Sequence, residues 1–213
     1  MPALDSLINA FITLFVTADP VGNAPLFLAL TAGLSASIRR SVAIKGSFIS
    51  FVILTLFAIT GTSILDAVGI TIDAFRIAGG LLLFVTAFEM IYGQRQERRE
   101  ESTTNATDHA ANIAVFPLAI PLLAGPGTIS ATILLSSQLS ADTTGNEWTA
   151  TLALVAVIAA LMILTAVILV AAELLDKYIS NTGKLVVTRL LGVLLAALSV
   201  QYIADGVLAF SKH

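Results

Sequence analysis

Two apolar segments of this chain are interrupted near their middles by proline and glycine. Residues 18–25 read Ala-Asp-Pro-Val-Gly-Asn-Ala-Pro, and residues 121–127 read Pro-Leu-Leu-Ala-Gly-Pro-Gly. Proline removes a backbone donor and clashes with the preceding turn, so each segment leaves backbone groups that need a polar partner inside the protein. Simple proline kinks are one interpretation. Two matching interruptions, one of them carrying a carboxylate, favour a pair of discontinuous helices around a binding site.

The composition places these segments in a membrane. Of the 213 residues, 57% are hydrophobic and 12% are charged, about half the charged fraction of a soluble domain. The net charge of −3 and the scattered basic residues give no nucleic-acid footprint. The chain has no cysteine, and His109 and His213 lie in a polar loop and at the end of the chain. We therefore predict a membrane protein with no metal site, no cofactor and no nucleic-acid partner.

Apolar stretches long enough to cross a bilayer define the predicted fold class. The first stretch has no basic residue before it and continues through Asp19-Pro20, so we interpret it as a retained span and not a signal peptide. The prediction is an all-α polytopic membrane protein with six transmembrane helices, in which spans 1 and 4 are discontinuous. The six stretches are residues 5–30, 42–64, 74–92, 113–138, 148–172 and 186–209.

The two halves of the chain resemble each other. Ala18-Asp19-Pro20 corresponds to Ala124-Gly125-Pro126, and Arg76-x-x-Gly79 corresponds to Arg189-x-x-Gly192. Each half has three spans, so a second copy would enter the membrane from the opposite side. We predict two inverted three-helix repeats, over residues 1–92 and 113–213, joined by a polar cytoplasmic linker loop at 93–112.

Basic residues predict the orientation. They concentrate in the first, third and fifth connections, which the positive-inside rule assigns to the cytoplasm, so both termini are predicted to lie outside. The residues concerned are Arg39, Arg40, Lys45, Arg95, Arg98, Arg99, Lys177, Lys184 and Arg189.

Asp19 is the candidate for chemistry inside the membrane. An ionised carboxylate at the centre of a span costs at least about 2.5–3.5 kcal/mol, so something must compensate it. It could cap a helix that begins at Pro20, since Asp followed by Pro is a good helix start. It could also be a protonated structural acid, or a group that binds substrate or a coupled proton. These alternatives stay open at the level of sequence.

The second half-helices expose backbone amides and a positive dipole end, which suit an anion such as a substrate carboxylate. Small and polar residues beside them leave room for something small, and Asp19 would match an ammonium group. The sequence therefore predicts a site for a small zwitterion, such as an amino acid. The predicted substrate-binding residues are Asp19, Pro20, Gly22, Asn23, Gly125, Pro126, Gly127, Thr128 and Ser130.

Other polar and small residues have plainer interpretations. Arg76 and Arg189 are expected to extend to the membrane interface, with a gating pair between Arg76 and Asp73 as the alternative. Gly79, Gly80 and Gly192 are expected to pack helices. No His-Glu-x-x-His, Gly-x-Ser-x-Gly or P-loop motif occurs, so we predict neither an enzyme nor an ATP-driven pump.

Three segments resemble the signature of the MarC family of integral membrane proteins from bacteria and archaea: residues 19–25, 75–80 and 117–129. The family is distantly similar to LysE-type exporters. The resemblance implies an inner-membrane protein, and a secondary transporter of small neutral amino acids such as glycine or alanine, or of similar metabolites. Its partners would be the substrate, the bilayer and a coupling proton or sodium ion, and an oligomer is compatible with the sequence. An exporter of other small compounds and a non-transporting structural membrane protein are the alternatives.

Overall fold

The computed structural model describes residues 2–31, 34–92, 113–142, 147–172 and 181–211, and these residues contain helices, turns and irregular segments but no strand. The predicted linker loop at 93–112 lies outside them. In chain order the helical segments are α1 (Leu4–Ala18), α2 (Pro20–Leu30), α3 (Ala36–Ala67), α4 (Ile72–Tyr92), α5 (Ala114–Leu123), α6 (Pro126–Asp142), α7 (Glu147–Val170) and α8 (Asn181–Phe210).

Within the described residues, five helical stretches are long and apolar enough to cross a membrane: Leu4–Ala24, Ala36–Ala67, Ile72–Tyr92, Trp148–Val170 and Thr188–Phe210. The all-helical, multi-pass architecture predicted from the sequence is therefore confirmed. The remaining predicted span, 113–138, is divided between α5 and α6, which have 10 and 17 residues. Each of these pieces is shorter than the roughly 20 residues that span a bilayer, so this fourth span stays a prediction.

Helices α4 and α8 pack against each other in opposite directions through glycines. A Cβ atom placed on Gly206 would lie 3.0 Å from the Asp73 carbonyl oxygen at the start of α4. One placed on Gly192 would lie 3.2 Å from the Ala87 carbonyl oxygen near the end of α4. Only glycine lets two backbones come this close. The predicted packing role of Gly192 is confirmed, and Gly80 makes the same kind of contact, with a Cβ position 2.9 Å from the Ser199 carbonyl oxygen.

The interior of the bundle is built around α6. Residues 130–136 of this helix are all buried, whereas α3, α4 and α8 each present a row of exposed apolar side chains. Exposed Leu, Ile and Phe in such numbers suit contact with lipid and not with water. Residues 122–125 of the second proline and glycine interruption, which immediately precedes α6, are buried as well, whereas Pro126 is exposed.

Candidate functional site

The first interruption lies between α1 and α2. Asp19 has φ 48° and ψ 60°, and among the described residues it is the one non-glycine with a positive φ. Aspartate tolerates this left-handed conformation better than most residues. The Asp19 amide still donates to the Phe15 carbonyl, at 2.9 Å, and closes the last turn of α1. Pro20 then occupies the first position of α2, where its missing amide hydrogen costs nothing.

Asp19 caps the helix that follows it. Its Oδ1 accepts a hydrogen bond from the Gly22 amide at 3.0 Å, and its carbonyl accepts one from the Asn23 amide at 3.0 Å. The side chain is buried, with 1% of the residue exposed. A carboxylate here is favoured by the positive end of the α2 dipole. Helix capping, one of the three alternatives for Asp19, is therefore part of its role, and a ligand-binding role stays a prediction.

The Asp19 carboxylate, which accepts a hydrogen bond from the Gly22 amide, leaves no space for a side chain at position 22. A Cβ atom placed on Gly22 would lie 2.7 Å from Asp19 Cγ, well inside van der Waals contact. The sequence predicted that this glycine leaves room for a substrate. In the structure the room is taken by the Asp19 side chain, so Asp19 and Gly22 form one structural unit.

The second interruption is longer than the first. In α5, Phe116 has φ −134° and ψ 125°, and Ile120 has φ −122° and ψ 122°, both extended. Each of them precedes a proline, and a proline ring disfavours helical conformation in the preceding residue. The Ala124 amide closes a wide final turn by donating to the Ala119 carbonyl at 2.9 Å. The backbone is therefore irregular from α5 up to the start of α6.

Helix α6 begins as α2 does, with a proline at its first position. Pro126 opens the helix, and the Gly125 carbonyl accepts from the Ile129 amide at 2.9 Å. Gly125 thus occupies the place that Asp19 has before α2, but without a capping side chain. Both predicted interruptions are present, and they share this arrangement.

Asn23 joins the two interruptions. Its Nδ2 donates to the Ala18 carbonyl at 2.8 Å and to the Leu122 carbonyl at 3.4 Å. In a continuous helix the Ala18 carbonyl would bond the amide of Gly22, which here turns to Asp19. The Leu122 carbonyl would bond the amide of residue 126, which is proline and has none. One buried amide group therefore satisfies the carbonyl left over at each break.

These two bonds also fix the orientation of the Asn23 amide, because only its nitrogen can donate to a carbonyl. Asn23 Oδ1 consequently faces the other way. It is buried, Asn23 as a whole is 0% exposed, and Oδ1 accepts no hydrogen bond from the described residues. A buried oxygen that accepts no hydrogen bond can bind a hydrogen-bond donor, such as an ammonium group.

The remaining predicted site residues lie along the start of α6 and partly face α4. A Cβ atom on Gly127 would lie 3.0 Å from Thr86 Oγ1, and the Cβ position of Gly79 is 3.5 Å from Ser130 Cβ. Thr128 is 2% exposed, and its carbonyl accepts from Thr132 Oγ1 at 2.8 Å. The structure thus brings Asp19, Gly22 and Asn23 together with the second break, while Gly127 and Ser130 contact α4.

Leu122 is the residue of this site that sequence reasoning missed. It acts through its backbone oxygen, so no side-chain pattern marks it. Its signal is Pro126, four residues later, which removes the amide that would otherwise bond that oxygen. Counting backbone groups orphaned by proline would have found it.

A second set of polar side chains lies on α4, α6 and α8. Arg76 Nη1 is 3.5 Å from Asp73 Oδ1, with 19% and 17% of the two side chains exposed, whereas Arg189 is exposed. Tyr202, which is buried, shares a side-chain hydrogen bond with Gln138. Arg76 and Asp73 are thus paired within α4, and a gating role for this pair stays a prediction. Among the described residues, no group of three His, Cys, Asp or Glu could hold a metal ion.

Comparison with known proteins gives one family and many relatives. The sequence profile described as MarC family integral membrane protein matches residues 4–210. A UPF0056 membrane protein of Methanocaldococcus jannaschii is 35% identical over 204 residues, covering 96% of this chain and 97% of the relative. UPF0056 membrane proteins of Bacillus subtilis and Escherichia coli are 33% and 34% identical, over 94% and 92% of this chain and 93% and 89% of the relatives. No solved structure matches the chain.

Proposed function

The chain belongs to the MarC family of integral membrane proteins, and from the geometry of its site we propose that it is a secondary transporter of small neutral amino acids, such as glycine or alanine, or of similar small metabolites. The names of its relatives specify a membrane protein and neither a substrate nor a reaction. The proposal therefore depends on the site and not on those names. We propose no catalytic activity. The described residues of the site include a carboxylate that caps a helix and a side-chain amide, but no nucleophile that is hydrogen-bonded to a general base.

The observation that carries this proposal is the hydrogen-bonded meeting of two interrupted helices at Asn23. Asn23 connects the ends of α1 and α5 through the Ala18 and Leu122 carbonyls. Discontinuous helices that meet inside a membrane are typical of secondary transporters, which place their substrate and coupling ions at such points. A structural protein has no need of a buried carboxylate there, because a continuous helix avoids its cost.

The chemistry of the site suits a small zwitterion. Asp19 supplies a buried carboxylate, and Asn23 Oδ1 supplies a buried neutral acceptor one turn away. Both attract an ammonium group, and a coupled proton or sodium ion would use the same oxygens. The amino-terminal turn of α6, which has no side-chain cap, offers amides for a carboxylate. In this arrangement the substrate would lie between α2 and the start of α6.

Helix packing supports the proposal that the halves are inverted repeats. The third spans of the two halves, α4 and α8, pack on each other in opposite directions, and the second spans, α3 and α7, are also in contact. A pseudo-two-fold axis in the membrane plane would produce such pairing. We propose that α5 and α6 together form the fourth span, that the protein lies in the inner membrane, and that both termini face outward.

Reconstitution tests the function directly. Purified protein in liposomes is offered radiolabelled glycine, alanine, leucine and glutamate, with an imposed proton gradient, an imposed sodium gradient, or neither. We expect glycine and alanine to accumulate under one of the gradients, with leucine and glutamate excluded. Accumulation of an unrelated compound in a wider screen would support the exporter alternative. The absence of any gradient-driven flux or binding would leave the structural alternative.

A further inference from the structure

A cavity of about 390 Å³ lies beside the second interruption, between α3, α4 and α6. It is lined by Pro126, which is exposed, and by Ser130 of α6, together with apolar residues such as Phe57 of α3 and Phe75 of α4. The only polar side chain among its lining residues is that of Ser130, which is 3% exposed. The cavity is as large as a typical ligand pocket, but its lining is almost entirely apolar.

The cavity opens sideways, toward the membrane. Ile64 of α3 and Leu82 of α4 line it and are also 47% and 45% exposed, on helix faces that carry other exposed apolar residues. Helices α3 and α4 touch each other little. The gap between them therefore connects the surrounding hydrocarbon with the start of α6.

Elimination identifies what fills this space. Water needs two to four polar partners, and the lining offers one buried hydroxyl, so water is disfavoured. A charged group would have no counter-charge, since none of the described residues that line the cavity is Asp, Glu, Lys or Arg. An empty cavity is disfavoured as well, because its mouth is open to hydrocarbon that gains contacts by entering. An alkyl chain needs no polar partner and no counter-charge, and it gains contacts by filling the space, so it is the occupant that the lining favours.

We propose that this cavity binds one acyl chain of a membrane lipid, and that the chain reaches the second interruption at Pro126 and Ser130. From Phe75 to Leu82 the cavity extends seven residues along α4, which corresponds to about 10 Å. Half of the hydrocarbon core of a bilayer is about 15 Å thick, so a chain from one leaflet spans this distance. The cavity shares Pro126 and Ser130 with the predicted substrate-binding residues, but it lies on the side of α6 that faces α3 and α4, and it makes the bilayer a direct contact of α6.

The chain has no cysteine, so a single introduced thiol reports on access. Ser130→Cys in phosphatidylcholine liposomes is treated with decyl methanethiosulfonate, which partitions into lipid, or with a cationic ethyltrimethylammonium methanethiosulfonate, which stays in water. The control is Ser136→Cys, on the same helix, buried, outside the cavity and bonded to the Ala58 carbonyl at 2.7 Å. We expect the decyl reagent to modify residue 130 at least tenfold faster than residue 136, as followed by intact mass, and Leu82→Trp at the mouth to slow this reaction at least tenfold.

If residue 130 reacts faster with the cationic reagent than with the decyl reagent, the cavity is filled with water and the proposal is wrong. Equal rates of reaction with the decyl reagent at residues 130 and 136 would also overturn it. A second readout uses Ile129→Trp with Trp148→Phe, which moves the only tryptophan from the start of α7 to the cavity wall. Lipids brominated near the ends of their acyl chains should quench this tryptophan at least threefold more than native Trp148. Equal or weaker quenching would also refute an acyl chain at α6. Neither measurement depends on amino-acid transport.

Discussion

Asn23 Nδ2 lies 3.4 Å from the Leu122 carbonyl oxygen, across 99 residues of sequence, and 2.8 Å from the Ala18 carbonyl oxygen in its own half of the chain. One side chain thus holds together two helix breaks that proline creates separately. If the two halves move relative to each other during transport, this amide lies at the joint between them.

Replacing Asn23 tests that joint. Asn23→Ala leaves two buried carbonyls without donors, and we expect a loss of about 1–3 kcal/mol in the free energy of unfolding. Unfolding of the purified protein in mixed micelles with increasing dodecyl sulfate measures it. The control is Thr132→Ala, which removes a hydroxyl bond to the Thr128 carbonyl within a single helix. Equal effects of the two substitutions would mean that Asn23 is an ordinary buried polar residue.

Asp19→Asn separates capping from transport. Asparagine also caps helices, so we expect a folded, membrane-inserted protein with stability within about 1 kcal/mol of the wild type. The charge is lost, and with it the attraction for an ammonium group or a coupled cation, so concentrative glycine uptake into liposomes should fall at least tenfold. Asp73→Asn, at the start of α4, is the matched loss of one carboxylate. Wild-type uptake by Asp19→Asn, with unchanged dependence on external pH, would reduce Asp19 to a helix cap.

The contact between Gly22 and Asp19 predicts a strongly coupled pair. Gly22→Ala places a methyl group against the carboxylate, and we expect a loss of about 1–3 kcal/mol in stability, as for other overpacked sites. In the double variant Asp19→Gly, Gly22→Ala the obstacle is gone, so the alanine should cost less than about 0.5 kcal/mol relative to Asp19→Gly alone. A double-mutant cycle measures this difference. Additive effects of the two substitutions would contradict the geometry.

Gly127→Val tests the region where α6 meets α4. The first atom that a new side chain encounters is Thr86 Oγ1, at 3.0 Å from the Cβ position. We expect valine to press α6 away from α4 and to narrow the proposed site, which should reduce alanine uptake more than glycine uptake. Combining it with Thr86→Ala should restore at least part of the alanine uptake. Equal reduction for both amino acids would place Gly127 outside the substrate's path.

Orientation can be tested by labelling, since the wild-type chain has no thiol background. Single cysteines at Pro2 and Ser211 should react with a membrane-impermeant maleimide in intact cells, because the distribution of basic residues predicts outside termini. A cysteine at Thr103, in the predicted cytoplasmic linker, should react only after the cells are opened. The reverse pattern would invert the proposed topology.

Local chemistry made much of this protein readable from its sequence. Inside a bilayer, the backbone N–H and C=O groups of a long apolar stretch find hydrogen-bond partners when the stretch forms a helix. The multi-pass helical fold therefore follows from composition and length. Proline acts on its own neighbours, which is why the breaks at Asp19-Pro20 and Gly125-Pro126 could be predicted from the sequence. The extended residues Phe116 and Ile120, each before a proline, were not predicted.

Tertiary structure decided which groups answer those breaks. Nothing in the sequence around Asn23 indicates that its amide reaches Leu122, since the two are brought together only by the packing of α2 against α5. The predicted site residue Gly22 accommodates the Asp19 side chain, and Gly127 faces Thr86 of α4, whereas contact of either glycine with a substrate stays a prediction. Sequence rules describe where a backbone loses its hydrogen bonds, because that loss is local. The partner that restores them can lie anywhere in the chain, so only the folded bundle identifies it.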